Sequence, residues 1–132
     1  MTIAQYLETL PPEEQVLINS YRNLVLATDK TVTEELGKMM SIEHAFVYKQ
    51  EKAFKYGITR TKNHFSFHCM VMYGFPKMIE ALKPKLKNVV FQKGCINFKS
   101  IEDFPLDVFE SCMKTWASVD YMAVLRKYNK IK

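Results

Sequence analysis

Glycine is scarce, with four residues in a chain of 132, and that leaves no glycine-rich loop whose backbone N–H groups could cradle a phosphate. No G-x-S-x-G, Walker, G-x-G-x-x-G, H-E-x-x-H or C-x-x-C pattern occurs either. The common signatures of hydrolases, phosphate-loop proteins, dinucleotide enzymes, zinc peptidases and thiol oxidoreductases are therefore missing, and an enzyme is not expected. The three cysteines, Cys69, Cys95 and Cys112, are odd in number and widely spaced, which argues against a disulfide framework or a zinc knuckle and for buried, reduced thiols. No apolar run approaches the roughly 20 residues that span a bilayer. The start, M-T-I-A-Q-Y-L-E, has neither the basic nor the apolar region of a signal peptide. A cytoplasmic protein with no membrane partner is expected.

What is present fits an ordinary globular chain, 48% hydrophobic and 25% charged, long enough for one core and one domain over residues 1–132. The net charge of +5 is unevenly placed: residues 41–100 hold eleven Lys/Arg against three Asp/Glu, while residues 1–40 hold three against six. A basic middle segment suits an anionic ligand, an acidic partner or nucleic acid.

Thr2 and Gln5 form a capping-box pattern ahead of Ile3, Tyr6, Leu7 and Leu10, so a short helix opens the chain. P-P-E-E-Q begins a second, with Leu17, Tyr21, Leu24 and Thr28 facing inward and Val16 and Val25 widening that face. T-E-E-L-G-K-M-M reads equally as a helical turn or a short edge strand. His44–Tyr48, Ala53–Thr59 and His64–Tyr73 then alternate as a three-strand antiparallel meander. Pro76 opens another helix, V-V-F-Q-K-G-C-I-N-F-K reads as a strand with a candidate bulge at Gly94, and Leu106 to Tyr128 forms one long amphipathic helix. The fold class is α+β, in two layers, with an antiparallel sheet packed against N- and C-terminal helices.

N-H-F-S-F-H-C-M-V-M-Y, residues 63–73, concentrates metal-capable side chains. Strand geometry divides them: Phe65, Phe67, Cys69, Val71 and Tyr73 face the core, and His64, Ser66, His68, Met70 and Met72 face away. His64 and His68 then stand about 13 Å apart and share no metal. A soft-metal site would need Met70 and Met72 exposed beside His68. Tyr48, Lys49, Lys55, Tyr56, Arg60, Lys62, Lys93 and Lys99 interleave aromatic and basic groups like a single-strand nucleic-acid platform. Alternation counts against it, placing Phe54, Tyr56 and Ile58 on the core face and Lys55 opposite.

T-I-A-Q-Y-L near the start, A-F-V-Y-K-Q-E-K-A-F-K-Y-G with T-K-N-H-F-S-F-H, then F-Q-K-G-C-I-N-F-K and D-F-P-L resemble the YdhG-like family, a domain of unknown function, over most of residues 2–121. The resemblance implies a fold similar to frataxin. It also implies, for one branch, an intracellular iron chaperone, so that iron enters as a cargo or cofactor held by acidic groups such as Glu34 and Glu35. The expected function is that of a non-enzymatic binding domain for a small anionic ligand, a metal ion or a partner protein, with nucleic acid a lesser alternative and no further cofactor. Lys62, His64, Lys93 and Asn97, from the family-like K-x-H and K-G-x-I-N-F elements, are the expected ligand-binding residues. The chain is expected as a monomer or homodimer.

Overall fold

The computed structural model describes residues 1–92 and 94–131, with side chains through Lys127. Two N-terminal helices, α1 (Ile3–Glu8) and α2 (Pro12–Thr28), precede four strands, β1 (Thr33–Met39), β2 (Ile42–Gln50), β3 (Ala53–Arg60) and β4 (Phe65–Cys69). Two short helices follow, α3 (Met70–Gly74) and α4 (Pro76–Leu82), then β5 (Val90–Gln92), β6 (Cys95–Phe98), α5 (Leu106–Ser118) and α6 (Tyr121–Ile131). The six strands pair antiparallel throughout in the order β1-β2-β3-β4-β6-β5.

The local signals account for the first elements. Thr2 accepts from the Gln5 backbone N–H at 3.1 Å while the Gln5 side chain accepts from the Thr2 N–H at 2.7 Å, a closed capping box. Pro12 starts α2 with Glu13 and Glu14 at the positive end of its dipole. The ambiguous T-E-E-L-G-K-M segment is the edge strand β1, because β2 supplies a full ladder of partners. In α2 the inward set is Leu17, Ile18, Tyr21 and Val25, whereas Val16 is solvent-exposed. The helix is thus rotated toward Ile18 relative to the expected face.

Three expectations are corrected. Strand β4 ends at Cys69, not Tyr73: the Cys69 N–H bonds the Gly94 carbonyl at 2.7 Å, and the chain then turns into α3. Residues 90–98 are two strands of a hairpin, not one bulged strand, and Gly94 sits in its turn at φ +84°, a left-handed conformation glycine adopts without steric cost. The long C-terminal helix is two helices, broken where Val119 adopts extended backbone and Asp120 accepts from the Ala123 N–H at 3.0 Å as a fresh cap. The expected inward contribution of Tyr128 lies outside the described side chains.

The helices gather on one sheet face. Phe67 of β4 stacks on Trp116 of α5 with ring centroids 5.5 Å apart and meets the Phe109 edge at 4.8 Å. Tyr21 of α2 packs edge-on against Phe109 at 4.9 Å and donates its hydroxyl hydrogen to the Phe104 carbonyl at 2.6 Å. Phe65, Phe67 and Cys69 are core residues, as alternation requires.

On the opposite face, Gly57 of β3 is the central feature. A Cβ there would lie 2.7 Å from Met39 Sδ and 3.0 Å from the Phe54 ring, so the missing side chain lets both groups pack directly over the strand. Gly57→Ala is expected to cost roughly 1–3 kcal/mol through overpacking, read from the midpoint of urea unfolding. An unchanged midpoint would mean that Met39 and Phe54 move aside freely.

Candidate functional site

The free sheet face and the β3–β4 turn carry the polar chemistry. Inward residues of β3, β4 and β6 fill the helix-facing core, so by alternation Gly57, Thr59, Ser66, His68, Cys95 and Asn97 face the other way. Thr59 and Ser66 are nonetheless only 2% and 4% exposed. They floor a trough of about 340 Å³ with Met40 and Ile42 on the β2 side and Gln92 and Cys95 on the β5 side. Thr59 Oγ1 and His68 Nε2 share a hydrogen bond of 2.9 Å, and Ser66 donates to Asn97 Oδ1 at 2.5 Å. Burial, with a smaller contribution from His64, lowers the His68 pKa, so this imidazole is neutral at physiological pH.

At its Thr61–His64 end the trough meets a second groove of about 250 Å³ lined by Lys62, His64, Phe65 and Lys99 together with Arg60 and Glu14. The turn is fixed by the Thr61 N–H and hydroxyl, which both donate to the His64 carbonyl, at 2.9 and 3.1 Å. Strand pairing of Phe65 with Phe98 brings Lys99 beside His64. The Arg60 guanidinium grips the Glu14 carboxylate through Nε and Nη2. Among the described residues Glu14 is the only acid lining this groove, and Arg60 neutralises it. Among the described residues Lys62 and Lys99 form no ion pair.

Of the expected site residues, Lys62 and His64 line the basic groove, and His64 and Asn97 line the trough. His64 is where the two grooves join. Lys93 lies outside the described residues. Sequence reasoning left Lys99, Thr59 and Ser66 out of the site. Lys99 becomes a neighbour of His64 only through the β4–β6 pairing, a contact between residues far apart in the chain.

The metal expectations do not survive the geometry. Met72 lies in the hydrophobic core at 0% exposure, and Met70 packs against the same core from α3, so neither joins His68 on an open strand face. Glu34 accepts from Arg22 Nη2 at 2.6 Å and from the Tyr48 hydroxyl at 2.6 Å, while Glu35, on the opposite face of β1, pairs with Lys49 at 2.7 Å. Their carboxylates diverge and are already engaged. Among the described residues no three His, Cys, Asp or Glu side chains converge as metal ligands, so the acidic pair does not fit iron.

The aromatic–basic platform is also absent from the surface. Tyr48 and Tyr56 are buried in the core. Lys55, expected to point away from the core, is 1% exposed within it because a β-bulge against Tyr48 and Lys49 turns it inward and sends Phe54 to the other face. Burial raises all three thiols, Cys69 to about 12, Cys112 to about 11 and Cys95 above its usual value, which disfavours the reactive thiolate.

The class these features define is a two-layer α+β protein with a helix-covered antiparallel sheet, whose other face carries an uncharged polar trough ending in a basic turn. Among the described residues no helix is long and apolar enough to cross a membrane. The chain matches no protein-family model, no curated protein and no solved structure.

Proposed function

We propose that this chain is a YdhG-like, frataxin-like binding domain, non-enzymatic and cytoplasmic, whose basic β3–β4 turn holds a small anionic ligand. The observation that carries this reading is the convergence of Lys62, His64 and Lys99 on one groove whose single acid, Glu14, is already neutralised by Arg60. Two unpaired ammonium groups in one concavity favour an anion through charge-assisted hydrogen bonds. His64 of the K-x-H element and Asn97 of the K-G-x-I-N-F element both line the adjoining trough. This shared lining by elements from the most specific part of the resemblance supports a common binding role for them.

Isothermal titration with inorganic phosphate is the test. The affinity is expected to fall as ionic strength rises, and the double substitution Lys62→Glu, Lys99→Glu should weaken it at least about tenfold, or 1.4 kcal/mol. Its thermal unfolding should be nearly unchanged, because both lysines lie at the surface around the turn. Equal phosphate affinity in a folded double variant would remove the proposal.

A further inference from the structure

Resting on the anion-binding reading, we infer that the uncharged trough beside the basic turn holds the body of the same ligand, which is an elongated phosphate monoester with a flat, uncharged, hydrogen-bonding body. A solvated face of an antiparallel sheet carries the polar residues of the alternation. Among the described residues the trough has no Asp, Glu, Lys or Arg in its lining, and its floor consists of the small or half-buried polar groups Thr59, Ser66, His68 and Asn97.

These groups retain hydrogen-bonding capacity toward a ligand. Ser66 occupies Asn97 Oδ1, which leaves the two N–H donors of that amide directed elsewhere, and Thr59 occupies only Nε2 of His68. No buried side-chain polar atom among the described residues lacks a partner, so the Asn97 amide nitrogen and His68 Nδ1, which have none, are in contact with solvent and open to exchange for a ligand.

Charge and shape narrow the ligand class. A second charge on the ligand would lose water along this floor without meeting an opposite charge among the described residues, a costly arrangement. The anion therefore belongs at the Lys62–Lys99 end only. From His64 to His68 the floor runs four residues along β4, about 13 Å, and adjacent strands stand about 4.8 Å apart. The small floor residues and the apolar walls from Met40 and Ile42 leave a shallow slot suited to a planar body lying along the strands. An anionic phosphate joined to a neutral ring system, the chemistry of a nucleoside monophosphate, satisfies both ends.

The test is an amide-resolved NMR titration of the whole chain with three probes: inorganic phosphate, adenosine and adenosine 5′-monophosphate. The monophosphate is expected to bind at least tenfold more tightly than phosphate and to shift Ser66, His68 and Asn97 together with residues 61–64. Asn97→Leu should remove most of the monophosphate's advantage over phosphate. Should that variant fail to fold, the shift map of the unaltered protein still decides. Phosphate binding with no gain for the monophosphate, and shifts confined to residues 61–64 and Lys99, would overturn the inference and leave the anion reading standing. Absence of phosphate binding altogether would overturn both. Adenosine binding as tightly as the monophosphate, or a short single-stranded oligonucleotide displacing it with higher affinity, would each overturn the two-part small-molecule ligand.

Discussion

Asp29→Ala is expected to remove about 3–5 kcal/mol of folding stability, because it strands a buried ammonium without its counter-ion. Asp29 and Lys55 are 2% and 1% exposed, with Lys55 Nζ 2.7 Å from Asp29 Oδ2. The carboxylate also accepts from the Tyr56 hydroxyl at 2.8 Å and from the Thr31 N–H and hydroxyl at 3.0 and 2.5 Å. These bonds fasten the α2–β1 connection to the bulge of β3. The double variant Asp29→Leu, Lys55→Met should recover most of the loss, since an apolar pair of similar volume requires no desolvation of charge. Urea unfolding of Asp29→Leu, Lys55→Met and their combination measures the coupling directly, and an Asp29→Ala loss under about 1 kcal/mol would contradict it.

The same carboxylate sets an acid limit. Burial opposes its ionisation, but the hydrogen bonds from Lys55, Thr31 and Tyr56 outweigh that effect and lower its pKa. Glu34 is likewise lowered by Arg22 and Tyr48 against the opposing effect of burial. For groups whose folded pKa lies below the unfolded value of about 4, the contribution is whole above that value and is lost as pH falls through the folded pKa. Stability should therefore decline below about pH 4, with a shallower decline in the Asp29→Leu, Lys55→Met variant.

Trp116→Ala should be comparably severe, at about 3–5 kcal/mol. Its ring is 1% exposed, lies 13° from parallel with Phe67 and meets Phe109 edge-on. Truncation removes the contact between α5 and the middle of β4 and leaves a cavity that backbone shifts fill only in part. Of a total stability of roughly 5–15 kcal/mol, that fraction should appear as a large fall in the circular-dichroism melting temperature. Trp116→Phe should lose less, because a ring can still stack on Phe67. Equal losses for the two variants would show that the aromatic stack is not what holds α5 to the sheet.

The sequence was most informative where a signal is local. The capping box at Thr2–Gln5, the proline start of α2 and the alternation through Phe65, Phe67 and Cys69 all depend on neighbours a few residues apart. It misled where pairing partners end an element. C-M-V-M-Y has strand composition, but β4 stops at Cys69 when the Gly94 carbonyl takes its N–H, and Val71 and Met72 enter the helical layer. The break at Val119–Asp120 had a local signal, a serine and an aspartate two residues apart, that the continuous apolar stripe concealed.

For the site, the residue types at Lys62, His64 and Asn97 were legible, but their grouping was not. Lys99 approaches His64, and Asn97 approaches Ser66, because the β5–β6 hairpin docks on β4 rather than on β1. Lys55 shows the same limit in the core, where one bulge residue reversed the faces of Phe54 and Lys55. By itself the sequence determined the α+β class, the inward faces of most strands and the basic character of the middle segment, since composition, periodicity and caps act within a few residues. The burial of Lys55, the engagement of the acidic pair and the meeting of trough and basic turn were decided only by tertiary structure, because strand register and docking set distances between residues that the chain itself keeps far apart.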